Sequence, residues 1–482
     1  MPGARSRVGR CAGIAGIASA ALGLLSCRRA GAPGAAEGTW DYVVTSPAPG
    51  SLRLTVEATF RGAASERLVA DGLEAAFSGV TLAPAAGAGG GAAIPFDTGA
   101  WTVPSCRDEC RVRYVVDLEA LAASCGRLDC GRRIGDAVLS QASAWMLRPE
   151  PAGEAVVHLH MAGGERYATG LRRDPSGGYV FRSEDLGEAS YTAFGDVRRV
   201  PVAVGGVTLD VVLLGAPVKM GDDAVARWVK GAAGCVASLY GRFPVGATVF
   251  VVPVPGADEV VFGRVMSLTG ASVVLLFGAE TRAESAHADW VVVHELFHLS
   301  TPSFVGEGHW LEEGLATYYE PILRARAGWL TEPQLWRDFV RQMPRGLRKT
   351  GEPPGLEERD GIDSTYWGGA LFAFLADLRL RDATARSAQP RSLDDVMRAV
   401  LAQRGDATHR SSVADFVDVG ARAAGVAVLA EVEGSWAVRG EPVDLGAIWR
   451  SLGVEVTAEG DVKLHDDAPL AAVRKSIAGS GH

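Results

Sequence analysis

Residues 291–300 read VVVHELFHLS, and this stretch constrains the chain more than any other. His294 and His298 stand four apart, so on a helix both imidazoles project from one face. Two imidazoles so arranged can chelate one zinc ion, and Glu295 between them can serve a bound water as general base. Trp290, Val291, Val292 and Val293 just before them predict a helix driven into a core. A catalytic zinc needs a third protein ligand and an open position for water. A second element carrying that ligand must therefore fold against this helix. A third histidine six residues beyond His298 would define one class of zinc enzyme, but that position holds Phe304. His309 matches no ligand spacing and reads as a surface or substrate-side histidine.

At 482 residues the chain is too long for one ordinary core, which predicts two or three domains. With 48% hydrophobic and 22% charged residues, disorder is excluded. The net charge of -9, with no basic stripe, excludes nucleic acid as a partner. The N-terminus carries Arg5, Arg7 and Arg10, then the uncharged run Cys11–Leu25. That run is shorter than the roughly 20 apolar residues of a membrane span, and residues 1–26 read as an export signal peptide. It ends in Leu24-Leu25-Ser26-Cys27, which resembles the bacterial lipobox. The resemblance implies lipidation of Cys27 and an exported lipoprotein of the bacterial cell envelope, facing the periplasm or the cell surface. The lipid anchor would be the sole attachment to the membrane, because no later segment reads as a span.

Cys106, Cys110, Cys125 and Cys130 cluster in sequence. In an exported chain they predict two disulfides, with all three connectivities open; a four-cysteine zinc site is the rival reading. Cys235 reads as a buried thiol on a helix. Residues 27–39 are small and polar and form a tether. Residues 40–215 read as an antiparallel β-sandwich domain, from alternation such as Leu52, Leu54, Val56, Ala58 and Phe60. Further strands are expected at Tyr114–Leu118, Val156–His160, Tyr179–Phe181 and Val200–Leu214, the last split by Gly205-Gly206 into a hairpin. Ala85–Ala93 is a Gly/Ala loop. His158 and His160 share a strand face and read as incidental. Residues 216–326 read as α+β, with a helix at Asp222–Tyr240, strands at Ala247–Val254 and Ser272–Phe277, and helices near 285–300 and 311–325. Residues 327–455 are helical, with Ser392 and Asp395 forming a capping box that opens a helix at 393–403. Residues 456–482 read as a C-terminal tail.

Residues 310–320, WLEEGLATYYE, resemble the third-ligand helix of the gluzincin metallopeptidases, as in the aminopeptidase N and glycyl aminopeptidase families. Aligned on the Glu-Gly pair, the resemblance makes Glu313 the third zinc ligand and leaves Glu312 at a variable position. Tyr366-Trp367-Gly368-Gly369 and the segment Arg391–Arg398 are similar to the glycyl aminopeptidase family. There Tyr366 corresponds to the tyrosine that steadies the oxyanion, while Gly368 replaces the family's lysine. The resemblance covers about 220–455. It implies a thermolysin-like zinc peptidase domain between the β-sandwich and a C-terminal helical domain, one zinc per chain, and a peptide or protein substrate. Glu320 reads as a second carboxylate that orients a ligand histidine.

The chain also departs from the pattern. The strand expected to carry an amine-binding glutamate corresponds to Phe262–Ser267, which has none; Arg264 stands there, and Glu259 lies nearby. Endopeptidase and aminopeptidase action both stay open. Ser272–Phe277 is the expected edge strand for a bound peptide. The family's C-terminal PDZ domain is expected to be absent, since too few residues follow Gly453 to bury a core. The alternative function is a non-catalytic, zinc-binding envelope lipoprotein (a pseudopeptidase), for which Glu295 would have no use.

Overall fold

The computed structural model describes residues 38–479 apart from 46–47, 63–64, 84–90, 104–108, 163–165, 305 and 307. The signal peptide, Cys27, Cys106 and most of the Gly/Ala loop lie outside the described residues. Strand structure begins at Gly38, inside the segment read as tether.

The N-terminal half is a β-sandwich. Its large sheet has seven strands in the order 179–182, 155–162, 38–45, 53–61, 109–117, 77–82 and 92–93. The strand Arg53–Arg61 alternates exposed and buried residues along most of its length, as expected for a sheet with one covered face. That inner face meets two four-stranded sheets across a core of Trp40, Tyr42, Val56, Phe60, Val112, Tyr114, Trp145 and Phe194. The sheet is not wholly antiparallel: Gly38–Thr45 pairs in parallel with Ala155–Ala162. Cys125 and Cys130 form a disulfide, and Cys110 is also disulfide-bonded.

A second sheet carries the rest. Its strands are β1 (Arg198–Val204), β2 (Val207–Leu213), β3 (Ala247–Val254), β4 (Val260–Met266) and β5 (Ser272–Gly278). Their spatial order is β1-β2-β3-β5-β4. β3 pairs in parallel with β2 and β5, while β4 runs antiparallel to β5. Two expectations change here. The hairpin at 198–213 belongs to this sheet and not to the sandwich, because β2 is hydrogen-bonded to β3. The edge is β4, not the strand at 272–278. β3 and β5 are buried on both faces, which is why they read as near-continuous apolar runs. One face packs on Ala137, Leu139, Tyr191 and Ala193 of the β-sandwich half. The other packs on the helices.

Those helices include α1 (Asp222–Tyr240), α2 (Val291–His298), α3 (His309–Arg326) and α4 (Gly369–Thr384), the last led by a π-helical turn at Asp363–Gly368. α1 ends at Gly241, whose φ of 72° closes the helix in the left-handed conformation. The helix at Leu393–Arg404 opens as expected: the Ser392 amide donates to Asp395 at 2.9 Å and its hydroxyl at 3.0 Å. A single core runs from α1–α3 into the later helices through Trp336, Phe339, Phe374, Phe416 and Trp449. The segment read as a C-terminal tail is folded over its described residues, 456–479. Val454–Val456 and Val462–Leu464 form a hairpin, and a helix follows at Ala471–Ala478. Arg474 on that helix is buried and donates to Glu332 at 2.8 Å and to the His465 carbonyl at 3.0 Å. No helix among the described residues is long and apolar enough to cross a membrane.

Candidate active site

All eight residues of α2 are buried. Its start is fixed by Asp289, whose Oδ1 accepts the Val291 amide at 2.8 Å and whose Oδ2 accepts the Val260 amide of β4 at 3.1 Å. One carboxylate thus ties the motif helix to the edge strand. His294 and His298 follow on one face, with ring centroids 4.8 Å apart and planes nearly perpendicular at 83°.

α3 crosses this face and delivers Glu313. Its Oε2 lies 3.1 Å from His294 Nε2 and 3.5 Å from His298 Nε2. The candidate ligand atoms of the three residues all lie within 4.8 Å of one another. Two imidazoles and one carboxylate are the donor set of a catalytic zinc. The residues fit that ion in chemistry and in convergence, with Nε2 of both rings turned to one point. Nδ1 of each ring is buried without a hydrogen-bond partner.

The charges respond to this crowding. Burial alone would raise the Glu313 carboxyl, but His298 and His294 outweigh it and hold it well below the usual range. Burial opposes a charge on His298, yet Glu313 and Glu295 push it up to about 9. His294 is lowered, chiefly by burial. Glu295 is raised to about 7, again chiefly by burial. Glu312 is also raised, mainly by burial.

Glu295 points toward β4. A Cβ placed on Gly263 would stand 2.6 Å from Glu295 Cδ and 2.7 Å from Oε1, and closer still to Cγ. The glycine leaves room for the carboxylate. Arg264 is on the opposite side of the strand, against Tyr191 of the sandwich half, so it does not face Glu295. Glu259 is an exposed loop residue, and His309 is exposed at the start of α3. His158 and His160 are exposed and belong to no metal-holding cluster among the described residues. Cys235 is a buried free thiol.

Tyr366 comes from the π-helical turn. Its ring stacks on His294, with centroids 5.7 Å apart and planes 6° from parallel. Burial, Glu313 and Glu295 all raise its phenol, so the hydroxyl stays a proton donor. Two glycines explain the approach. A Cβ on Gly314 would lie 2.8 Å from the Ala370 amide nitrogen, and one on Gly369 would lie 2.8 Å from Gly314 Cα. α3 and α4 therefore meet backbone to backbone, immediately beside Glu313 and Tyr366. Gly368, which replaces the family's lysine, has a packing reason: its Cβ would stand 2.6 Å from Leu356 Cδ2, and its carbonyl accepts Trp436 Nε1 at 3.0 Å.

Glu320 does not orient a ligand histidine. It accepts from Arg324 at 2.6 Å, and Arg324 donates to the carbonyls of His287 and Ala288 at 3.1 and 2.9 Å. The pair grips the loop leading into α2. Trp290 is not core either; it is half exposed. Sequence reasoning also missed Asp289, Gly263 and Gly369. A signal existed for Trp290 in its spacing of four residues from His294, and none existed for the others.

No protein-family profile matches the chain, and no curated protein sequence matches it. Solved structures do. An aminopeptidase N family protein from Idiomarina loihiensis has a TM-score of 0.60 at 16% identity, over 87% of this chain and 79% of that one. An M1 zinc metallopeptidase from Deinococcus radiodurans has a TM-score of 0.49 at 15% identity, over 85% of this chain and 96% of that one. The chain has the fold of the aminopeptidase N family protein, with a β-sandwich, a mixed-sheet domain bearing the HExxH helix, and later helices.

Proposed function

We propose that the protein is a zinc-dependent peptidase. The observation that carries the reading is the convergence of His294 Nε2, His298 Nε2 and a Glu313 oxygen beside a buried carboxylate, Glu295, that is not one of the converging groups. A site built only to hold zinc has no use for that fourth group. When bound by His294, His298 and Glu313, zinc would supply Lewis acidity, acidifying a water and polarising a carbonyl. Glu295 takes the proton of the attacking water and returns it to the leaving amine. Tyr366 donates its hydroxyl hydrogen bond to the carbonyl oxygen as negative charge develops there. The fold of an aminopeptidase N family protein supports the same reading.

The wild-type chain and Glu295→Gln are incubated with a mixed peptide library, free and amine-blocked, and products are read by mass spectrometry. The expected result is one zinc per chain in both proteins and a loss of about 10²- to 10⁴-fold in turnover for Glu295→Gln. Cuts inside blocked peptides mark an endopeptidase; stepwise loss of N-terminal residues marks an aminopeptidase. Wild-type turnover in Glu295→Gln would falsify the mechanism. We further infer export and lipid attachment at Cys27, from the N-terminal sequence; a lipid-modified mass on the Cys27 peptide tests it.

A further inference from the structure

We propose that Asp289 is a positioning residue for Glu295: its grip on Val260 pins a one-residue bulge in β4, and the bulge decides which face of that strand the general base meets. The inference rests on the peptidase reading above. Phe277 and Leu276 are neighbours on β5, yet their partners on β4 are Val260 and Phe262. Val261 is the extra residue between them, and its side chain is exposed. Such an insertion shifts the phase of everything beyond it, because side chains in a strand alternate between faces.

The two faces of β4 are distinct residue by residue. Val260 belongs to the core shared with the helices, as does its partner Phe277, and Val265 packs against that core. Gly263 faces the same way, against Glu295. On the sandwich side lie Arg264, beside Tyr191, and Met266. Phe262 is paired with Leu276, which packs on that side too. Val260 and Gly263 thus share a face although an odd number of residues separates them, which a regular strand forbids. Alternation carried on from Val260 without the bulge would turn Phe262 and Arg264 toward Glu295 and Gly263 away from it. The space beside Glu295 does not admit even a Cβ, so neither side chain fits there.

Asp289 is placed to hold the shift where it is. Its Oδ2 accepts the Val260 amide at 3.1 Å, on the residue just before the extra one, and its Oδ1 accepts the Val291 amide at 2.8 Å. Both partners are donors, so a carboxylate, with an acceptor on each arm, fits where a carboxamide does not. Arg324 steadies the approach to this residue through the carbonyls of His287 and Ala288. Bulges gather at sheet edges and beside active sites, where they re-aim a position. Here the position re-aimed is a glycine that admits the base.

The test is a double-mutant cycle on the zinc-loaded full chain. Asp289→Ser keeps one short acceptor for the Val291 amide, as serine does for the backbone two residues on, and releases Val260. It is made with Val261 present and with Val261 deleted. The deletion leaves the partners on both flanks as they are, Val260 on Phe277 and Phe262 on Leu276, with no bulge left to hold. With Val261 present, Asp289→Ser is expected to lower kcat by about 10- to 100-fold, as a displacement of up to ~1 Å does, with zinc content unchanged. With Val261 deleted, the same substitution should change kcat by less than about threefold. Equal losses in both backgrounds would make Asp289 a cap of α2 and nothing more, and would overturn the proposal; so would no loss in either. Hydrogen exchange on the same proteins decides the matter if the deletion fails to fold. Asp289→Ser should speed exchange of the amides from 262 to 266 by about tenfold or more, and protection equal to that of the wild type would refute the pinning. If the zinc-loaded wild type cuts nothing, the peptidase reading is what fails, and exchange still decides whether Asp289 holds the bulge.

Discussion

Gly263→Ala isolates the position of the general base from everything else in the site. The added Cβ would stand 2.6 Å from Glu295 Cδ and 2.7 Å from Oε1, against about 3.5–4.0 Å for a relaxed carbon contact. The carboxylate must therefore retreat by about 1 Å. The φ of Gly263 is not positive, so alanine fits the backbone and the unfolded chain loses entropy, which offsets part of the strain. The ligand set is untouched, because His294, His298 and Glu313 lie on other elements. A reacting group misplaced by about 1 Å costs on the order of 10²-fold in rate, equivalent to about 2.7 kcal/mol of barrier. The expected outcome is a roughly hundredfold fall in kcat, with zinc stoichiometry kept and melting shifted little. The assay is cleavage of the best peptide from the library, beside zinc analysis and a denaturant melt of the same sample. A kcat within about threefold of wild type would mean that Glu295 is not held where the reaction needs it, or that the pocket has slack, and the reasoning would fail.

Gly314→Ala should act on stability as well as on the site. Its Cβ would press on the backbone of α4 at Gly369 and, at 2.8 Å, on the Ala370 nitrogen. Backbone cannot rotate aside, so overpacking of about 1–3 kcal/mol or more is expected, together with weaker zinc binding; an unchanged denaturant midpoint would refute the contact. Glu320 gives a pH test. Burial, only partly countered by Arg324, lifts its carboxyl from the ordinary 4.5 to about 7. The folded state then binds more protons than the unfolded one between these values. The stability due to this group is fully present below pH ~4.5 and is lost as pH rises through about 7. Glu320→Gln should gain stability relative to wild type as pH rises across that window. A stability difference that is flat with pH, or that slopes the other way, would mean that the Arg324 pairing dominates.

Much of the fold was legible because local pattern and final environment agree. The helix Asp222–Tyr240 follows from apolar spacing ended by Gly241, and the strand Ala247–Val254 from an apolar run buried on both faces. The hairpin at 198–213 was legible as a hairpin, but its owner was not. Alternation is the same whichever sheet a hairpin joins, and the deciding hydrogen bonds run to a strand some 40 residues later. The edge strand was misassigned although a signal stood in the sequence. Val273–Phe277 is apolar throughout, as an interior strand should be, whereas Val260–Met266 carries Gly263 and Arg264, as an edge tolerates. The motif residues were legible because His294, Glu295 and His298 need only one helix. Glu320 was misread because spacing along a helix fixes a face, not the partner that occupies it.

The precision of the site rests on α3 more than on any contact to the histidine rings. Neither Nδ1 atom is hydrogen-bonded to a protein group, so no side chain or carbonyl behind the rings sets their planes. The rings are held by packing instead: His294 lies between Trp290 and Tyr366, and against His298. α3 sets three of the terms in that packing. It carries Glu313 to the two Nε2 atoms. Through Gly314 it meets α4 closely enough to bring Tyr366 onto His294. Through Arg324 it holds the carbonyls at 287 and 288, and so the approach to Asp289 and the first turn of α2. A displacement of α3 would therefore move the carboxylate ligand, the phenol and the start of the ligand helix together. The physical reason for the glycine after Glu313 is thus not local freedom of the chain. Any side chain at that position would separate the two helices whose contact aligns the site.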